Sequence, residues 1–500
     1  MPLEWVQGSN PSDPPDLQRA AGTLHTDGEA LYKNRVTPRA FIPIAARTIL
    51  AIAVLASLMV ALMSRPAKRL VDFDQSFYLT IAYDLYHHRV FSNGVFDDVD
   101  STSATPAPGM FFAPLFPTLV VAAMKTDVRF AQAVTCAVEA NEKKRPLESC
   151  EVYVRPIHVI HAFLLALAVA AIGLSAEIIF SSRAVFFFTA IVASVGLAAE
   201  AELLSYVMTE SLTFALYSFV ALFLVLGWKT SRGPYFAAAG FFLGLLFLTR
   251  PSFVALVPIL IVLIIVQARW LSSGGKIWSS VLAFSAAILI VVAPWIARNA
   301  VSLGKFSLTE EYGSATLIER MAFNDMTARE FFLAFPYCLP EIGPWAINSV
   351  FGARAMARFE WNAERSFFDT GRARRMALSA KHKKLDPIIG EVVGAEMREN
   401  WWRYILASLP LAWCGLWVGK FWGLILIPVF AWAFVAAARR RPLFLLYALP
   451  VLAMVVLHAA LANHYSRYNL ILIGPAAAGA AWIIASLLPS VFARQSRRIG

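Results

Sequence analysis

The stretch VDFDQSFY, residues 71–78, follows the first long apolar run and opens an amphipathic segment that continues to about residue 89. It places two carboxylates, Asp72 and Asp74, just outside a membrane span, where charge is costly unless it is used. The N-terminus lies before the apolar run, so the acidic pair is expected on the opposite face of the membrane, within reach of a lipid-borne substrate. This placement predicts a membrane-embedded transferase.

The composition indicates the fold class. Hydrophobic residues make up 58% of the 500 residues and charged residues only 15%, whereas soluble domains are about half apolar. Many apolar runs approach the roughly 20 residues that cross a bilayer as a helix. Backbone groups in lipid lack water partners, so such runs must be helical. We therefore predict an all-α polytopic membrane protein.

The apolar runs predict about ten spans with both termini in the cytosol. The spans are expected near 41–63, 156–180, 184–202, 206–228, 234–249, 252–268, 277–297, 416–438, 443–461 and 468–488. The short basic turns between them fall on one face, and the positive-inside rule makes that face cytosolic. Residues 1–40 are too polar for a signal sequence and are expected to form a disordered cytosolic tail.

Two long segments, 64–155 and 298–415, are then expected outside. Within the first, 76–89 and 111–124 are too short or too Pro-interrupted to span and predict two juxtamembrane helices. In the second, 331–351 is fairly apolar but contains three prolines. If 331–351 crossed the membrane, the basic run after it would become cytosolic. We expect it to stay outside, because the positive-inside rule weakens for loops longer than about 60 residues.

Cysteines and charge narrow the class of protein further. Cys136 and Cys150 bracket a polar segment and are a disulfide candidate if that loop faces an oxidising periplasm; the alternative is two free thiols. Cys338 and Cys414 have no spacing that predicts a pair.

The net charge of +11 resides largely in 364–384. A basic stretch in a membrane protein usually binds anionic lipid headgroups or sets the orientation of the chain, and it does not indicate nucleic-acid binding here. No Cys/His metal pattern occurs.

Polar residues converge on the expected outer face. With this topology, the carboxylates, the guanidinium groups and one imidazole come to a common depth, which is typical of a site. They are Asp72, Asp74, Glu210, Arg250, Arg298, His464 and Arg467.

The order of these motifs resembles the order found in the GT-C glycosyltransferases, in particular in the clan of aminoarabinose transferases and protein O-mannosyltransferases. DQSFY at 74–78 is similar to the first outer loop of that clan, whose Asp is the catalytic base, and PLFP at 114–117 to its second juxtamembrane helix. Glu210, Arg250-Pro251, Pro294-Trp295 with Arg298-Asn299, and Arg467-Tyr468 look like further landmarks. Gln75 departs from the clan, which usually has a second acid there; Asp72 is the alternative carboxylate.

The resemblance implies a catalytic module at 41–300, a periplasmic region at 301–415 and C-terminal spans at 416–500. It also implies inverting transfer of a hexose or pentose from a polyprenyl-phosphate donor to a hydroxyl of a lipopolysaccharide, glycan, lipid or protein, at the periplasmic face of a bacterial inner membrane. Asp74, with Asp72 as second choice, would be the general base. Substrate-binding candidates are Tyr78, Glu210, Arg250, Arg298, His464, Arg467 and Tyr468. No cofactor is firmly implied, and a divalent metal has no further support.

Other interpretations of the same residues stay open at this stage. Asp74 is also a suitable helix N-cap, and Glu210 could pair within the bundle. Arg250 and Arg298 could be interfacial anchors, and His464 is expected to be structural or substrate-orienting.

Two alternative functions of the whole protein also stay open. One is a polysaccharide ligase or polymerase that uses a pyrophosphate-linked donor, and the other is a transporter or lipid flippase. Transporters usually place charges near the midplane on repeated, broken helices.

Overall fold

The computed structural model describes residues 44–65, 70, 74–94, 105–142, 149–271, 277–438, 440–462 and 466–499. The chain divides into two units at residues 50 and 51. The described part of the first is only the start of the first helix, and the sites discussed below belong to the second. Asp72, His464 and the expected tail at 1–40 lie outside the described residues.

Every regular element among the described residues is helical. The α-helices are α1 Ile44–Met63, α2 Gln75–His87, α3 Leu115–Thr126, α4 Val128–Glu142, α5 Arg155–Phe180, α6 Arg183–Ala199, α7 Ala201–Leu204, α8 Glu210–Thr230, α9 Gly233–Phe247, α10 Leu256–Leu271, α11 Ile277–Leu303, α12 Tyr312–Met321, α13 Ala328–Tyr337, α14 Ile342–Phe351, α15 Ala353–Ala357, α16 Phe367–His382, α17 Ile389–Leu416, α18 Gly423–Ala437, α19 Pro442–Leu461 and α20 Ile473–Ile499. Short 3₁₀ turns occupy Pro251–Ala255, Ala322–Asp325, Lys420–Trp422 and Ser466–Leu472.

Each of the expected spans corresponds to a helix. Eight helical segments of the described chain are long and apolar enough to cross a membrane. The two remaining predicted spans are the shorter apolar helices α6 and α9, with 17 and 15 residues. The predicted fold class is confirmed: the chain is an all-α, multi-pass membrane protein.

The first long segment contains the two predicted juxtamembrane helices, α2 and α3, with 13 and 12 residues. At about 1.5 Å per residue, neither can cross a bilayer. A third helix, α4, follows directly and ends before the loop that returns to α5. Cys136 on α4 is bonded to Cys150, with the two Cα atoms 5.7 Å apart. The disulfide ties the end of this segment to α4.

The second long segment has no continuous helix over 331–351. Two helices of ten residues each, α13 and α14, replace the single long helix that a span would need. The chain breaks between them at Pro340 and at Glu341, whose φ is +63°. The continuous helix that the alternative topology needs does not form over 331–351, and the position of this segment outside the membrane stays a prediction.

A disulfide that the sequence did not predict joins α13 to α17. Cys338 and Cys414 lie 76 residues apart in the chain, and their Cα atoms are separated by 5.0 Å. The spacing of these two cysteines in the sequence does not indicate the pair. Together with Cys136–Cys150, this bond leaves no free cysteine in the chain.

A fully buried arginine fixes the second long segment to the C-terminal end of α19. Arg320 on α12 is 0% exposed, and its Nε donates to the carbonyl of Ala459 at 2.9 Å. Its other nitrogens donate to Asn324 Oδ1 and to the carbonyl of Tyr404. Burial lowers the pKa of Arg320 to about 10, so the side chain is still cationic at neutral pH. Several carbonyls thereby share one buried cation instead of remaining unsatisfied.

The basic helix α16 should be accessible from outside the cell membrane. Ala380 is exposed, and because all four cysteines are disulfide-bonded, Ala380→Cys introduces a single free thiol. We expect a membrane-impermeant maleimide to label it in intact spheroplasts. The matched control is Thr230→Cys, at the last residue of α8 and on the expected cytosolic face, which should label only after permeabilisation. The reverse pattern would contradict the orientation.

Candidate functional site

Asp74 begins α2 and makes an ion pair with the other end of the chain. Its Oδ2 accepts a hydrogen bond from Arg467 Nη2 at 2.9 Å, across 393 residues of sequence. The residue occupies the N-cap position of α2, but its side chain makes no capping hydrogen bond. The interpretation of Asp74 as a simple helix cap therefore does not describe its carboxylate, which points away from the helix toward Arg467.

Arg250 is held by the start of α8. Its Nη2 donates to Glu210 Oε1 at 2.7 Å and its Nε donates to Thr209 Oγ1 at 3.0 Å. The Glu210 side chain is only 2% exposed, and its second oxygen has no hydrogen-bond partner among the described residues. A buried carboxylate needs a cation beside it. The pair therefore fixes the guanidinium in one orientation.

Tyr468 links the two arginines. The guanidinium carbons of Arg250 and Arg467 lie 5.3 and 5.1 Å from the centre of its ring, within the range of cation–π attraction. Arg467 Nη2 also donates to the Tyr468 hydroxyl oxygen at 3.3 Å. Each of the two guanidinium groups is thus paired with one carboxylate, Arg467 with Asp74 and Arg250 with Glu210. An anion that enters must therefore compete for one of these arginines.

A cavity of about 350 Å³ opens beside this cluster, and we call it the loop-side cavity. Its walls come from the start of α2, the chain before α3, the turn after α9, the region around α12 and the outer end of α19. The polar lining includes Asp74, Tyr78, Arg250, Tyr312, His458 and Tyr468, and the apolar lining includes Phe111, Phe112, Leu317, Met454, Leu457 and Leu461. One charged end and extensive apolar walls match a ligand that combines an anion with hydrocarbon.

Tyr78 is one turn after Asp74 on α2 and closes the charged end. Its ring packs against Phe112 and Phe116 at centroid distances of 5.1 and 5.2 Å. Burial, and next the negative charge of Asp74, raise the pKa of Tyr78 above its usual value. The hydroxyl is therefore neutral at physiological pH, which suits a hydrogen-bond donor and not a base.

Gln75, at the position where the resembled clan has a second acid, is turned away from the cavity. It is 3% exposed, and its Oε1 accepts a hydrogen bond from the backbone N–H of Val207 at 2.8 Å. The side chain thus ties α2 to the chain that leads into Thr209 and Glu210. A carboxylate there would bury a charge, and the amide avoids that cost.

Arg298 is placed differently from the sequence prediction. It does not line the loop-side cavity; its Nη1 donates to the carbonyl of Gly109 at 2.6 Å and its Nη2 to that of Phe91 at 3.0 Å. Its guanidinium also lies over the rings of Trp295 and Phe91. Gly109 fits this region because a Cβ would lie 2.2 Å from Asn93 Oδ1. Arg298 therefore clamps the wall of the site and does not reach into it.

His458 is a cavity residue that the sequence analysis did not select. It lies inside the apolar run of α19, where a histidine looks like an ordinary core residue. The candidate named instead, His464, and the second acid, Asp72, lie outside the described residues. The sequence signal for His458 would have been its position one turn before the end of a span.

One acidic group elsewhere has oxygens close enough to hold a metal ion. Ligand oxygens of Glu310, Glu311 and Asp386 lie within 4.8 Å of one another. Glu310 pairs with Lys384 and Lys305, and the oxygens of Glu311 accept from the backbone N–H groups of Leu385 and Asp386. These contacts give the group a structural role, joining the chain before α12 to the chain before α17.

Comparison with known proteins gives no matching family model. It gives no matching curated protein either. Among solved structures, the chain is similar to the oligosaccharyltransferase AglB from Archaeoglobus fulgidus in complex with an inhibitory peptide and a dolichol-phosphate, at 12% identity over 91% of this chain and 52% of that chain, with a TM-score of 0.48. It is also similar to ArnT from Cupriavidus metallidurans bound to undecaprenyl phosphate, at 15% identity over 87% and 78% of the two chains, with a TM-score of 0.41.

Both neighbours are GT-C glycosyltransferases. This is the superfamily that the sequence resembles. The chain spans about half the length of AglB. TM-scores below 0.5 do not carry a functional argument, so the function of this chain has to follow from its own side chains.

Removing the Arg298 clamp should destabilise the protein without changing its chemistry directly. Arg298→Met retains much of the aliphatic contact but leaves the carbonyls of Phe91 and Gly109 without their donor, at a cost of about 2 kcal/mol. We expect a lower melting temperature in detergent, whereas Arg329→Met, the same change at an exposed position, should melt like the wild type. An unchanged melting temperature combined with weaker donor binding would show that Arg298 contacts the donor.

Proposed function

We propose that this chain is a membrane glycosyltransferase that transfers one sugar from a polyprenyl-phosphate donor to an acceptor hydroxyl. The observation that carries the proposal is that Asp74 and Arg250 lie at one end of a largely apolar cavity, where Asp74 is also paired with a second arginine, Arg467. The reaction needs a proton acceptor, a cationic site for a lipid phosphate and an apolar path for the lipid next to it. The loop-side cavity combines all three.

Asp74 is proposed as the general base. As the acceptor oxygen attacks the anomeric carbon, its proton passes to the Asp74 carboxylate. The bond between the anomeric carbon and the phosphate oxygen breaks, and polyprenyl phosphate departs with the electron pair. A single displacement of this kind inverts the anomeric centre, by analogy with inverting glycoside chemistry. The Asp74 side chain is 36% exposed, which leaves an acceptor a way to approach it.

Arg250 and Arg467 are proposed to bind the donor phosphate. Guanidinium groups suit this role because their planar fork matches phosphate oxygens and stabilises charge that develops on the leaving group. Arg250 lines the cavity, and among the described residues no hydrogen bond involves its Nη1. Arg467 does not line the cavity itself, but it pairs with Asp74 and shares Tyr468 with Arg250, and both of those partners do line it; a phosphate at Arg250 is proposed to contact Arg467 as well. Of the three arginine candidates from the sequence, the proposal keeps Arg250 and Arg467, because Arg298 donates to the carbonyls of Gly109 and Phe91.

The active site is proposed to face the periplasm of a bacterial inner membrane. Basic residues such as Arg232, Arg440 and Arg441 lie in turns at the opposite ends of the spans, which the positive-inside rule assigns to the cytosol. Both disulfides lie in or border the two long segments, and disulfides persist in oxidising compartments. The acceptor is proposed to be a hydroxyl of a lipopolysaccharide, glycan, lipid or protein on that side.

The two rival functions make different predictions in one assay. Purified protein in liposomes is given polyprenyl phosphate carrying one labelled monosaccharide, or polyprenyl pyrophosphate carrying an oligosaccharide, together with a total extract of envelope lipids and glycans. The proposal predicts label transfer from the first donor only. Transfer from the second alone would indicate a ligase or polymerase. Movement of lipid between leaflets without any transfer would indicate a flippase.

Asp74→Asn should reduce the transfer rate at least about 100-fold, because a positioned base contributes about 10²–10⁴-fold. The change is nearly isosteric, and the amide can still accept a hydrogen bond from Arg467, so the melting temperature should change little. The matched control is Asp325→Asn at an exposed position, which should leave the rate unchanged. Full activity of Asp74→Asn would remove Asp74 from the mechanism. Equal losses of activity and folding would indicate a structural role.

Arg250→Lys should weaken donor binding more than it weakens folding. Lysine retains the charge beside Glu210 but lacks the planar fork, and a charge-assisted contact is worth about 1.5–3 kcal/mol. We expect the KM for the polyprenyl-phosphate donor to rise about 10- to 100-fold while the KM for the acceptor stays constant. Arg329→Lys is the control for the same substitution at an exposed site. If only the acceptor KM changes, Arg250 does not contact the donor.

A further inference from the structure

His458 is a buried polar side chain that the proposed mechanism does not use. It lies near the outer end of α19, is 6% exposed, and lines the loop-side cavity. The Phe253 ring is 6.4 Å away on one side, and the Tyr468 ring is 5.7 Å away on another. A histidine buried in this way needs hydrogen-bond partners for both ring nitrogens.

The neighbouring amide determines which ring nitrogen carries the proton. Asn469 Nδ2 donates to the carbonyl of Gly415 at 3.0 Å, which fixes the orientation of the amide. Its Oδ1 therefore faces His458 Nδ1, at 2.8 Å. An amide oxygen can only accept, so Nδ1 must be the protonated nitrogen. In a neutral imidazole, Nε2 then presents a lone pair.

The second nitrogen is left for a ligand. Among the described residues, no hydrogen bond involves His458 Nε2. The ring neighbours are an amide and two aromatic rings, and Arg250 lies on the same cavity wall, so a second cation there would lack a buried counter-charge. The neutral form, with Nε2 as acceptor, fits these surroundings. Its natural partner is a hydroxyl group.

The distance from the phosphate-binding cluster indicates which hydroxyl. Tyr468 is a common neighbour of all three groups: its ring centre lies 5.7 Å from that of His458 and 5.1–5.3 Å from the two guanidinium carbons. A sugar bonded to a phosphate at those guanidinium groups is therefore within reach of His458. The outer end of α19 is also held rigidly, because the carbonyl of Ala459 accepts from Arg320 and that of Ala460 accepts from the Tyr404 hydroxyl.

We propose that His458 Nε2 accepts a hydrogen bond from a hydroxyl of the donor sugar, and that Asn469 positions the ring for it. This assignment rests on the proposed glycosyltransferase function and adds a residue that recognises the sugar, separate from those that bind phosphate. The ligand class is a monosaccharide that presents a free hydroxyl toward α19 while its phosphate contacts Arg250 and Arg467.

The test compares binding of undecaprenyl phosphate with binding of undecaprenyl phosphate carrying glucose, galactose, mannose or arabinose, measured on purified protein in detergent. The sugar that binds the wild type most tightly is then used. His458→Asn places an amide where Nδ1 was and no group at Nε2, whereas His458→Gln reaches the Nε2 position with an oxygen that can accept. One hydrogen bond is worth about 3- to 10-fold in affinity.

We expect His458→Asn to bind the sugar-bearing lipid about 3- to 10-fold more weakly and bare undecaprenyl phosphate as the wild type does. His458→Gln should recover most of the loss. Asn469→Asp, which keeps an acceptor for Nδ1, should bind the sugar-bearing lipid more tightly than Asn469→Leu. Unchanged affinity of His458→Asn for the sugar-bearing lipid, or equal losses for both lipids, would overturn the assignment while leaving the proposed function intact.

Monodeoxy analogues of the chosen sugar make the test independent of whether His458→Asn folds. In the wild type, one deoxy analogue should bind about 3- to 10-fold more weakly than the parent lipid, and that difference should vanish in His458→Asn and persist in His458→Gln. If no single hydroxyl matters in the wild type, the assignment is wrong. If the wild type binds neither bare nor sugar-bearing lipid, the proposed function and this assignment both fail.

Discussion

The candidate site depends on the ion pair between Asp74 and Arg467. It joins the start of α2, in the first long segment, to the turn before the last span, at an N···O distance of 2.9 Å. Both side chains are partly exposed, so the pair contributes little net stability by itself. Its importance is geometric, because it brings residues from opposite ends of the chain to one cavity. Arg467 in turn orients Tyr468, and Tyr468 connects the pair to Arg250.

The second pair, Glu210 with Arg250, has a different physical character. Glu210 is almost fully buried and has one oxygen without a partner among the described residues, so its desolvation has to be offset by Arg250. Breaking this pair would leave a buried charge, whereas breaking the Asp74–Arg467 pair exposes two groups that water can reach. The roles proposed for Asp74 and Glu210 follow from this difference in exposure to water. The partly exposed carboxylate is the one that can exchange a proton, and the buried one holds a guanidinium in place.

The sequence predicted the helices, which depend on composition. It did not predict the direction in which individual side chains point. Apolar runs predict helices such as α5 and α11 because lipid leaves the backbone no other partner. The expectation that Asp74, Arg250 and Arg467 share one face follows from counting those runs. The direction of an arginine side chain at a helix end does not follow from that count, so the contacts of Arg298 with two loop carbonyls could not be predicted. Cys338 and Cys414 meet only through tertiary packing, and His458 is hidden in an apolar run.

Gln75 stands where the clan that the sequence resembles usually has a second acid, and this difference removes one negative charge from the position next to Asp74. Its amide oxygen accepts from Val207, so this position serves the backbone that leads to Glu210 and is closed to the cavity. A carboxylate there would be desolvated against a backbone N–H and could not face a substrate. Among the described residues that line the cavity, Asp74 is the single carboxylate. The charge of a bound phosphate would therefore be met by Arg250 and Arg467. As Arg467 turns from Asp74 toward that phosphate, the carboxylate would lose its counter-charge as the acceptor hydroxyl arrives, which links donor binding to the availability of the proposed base.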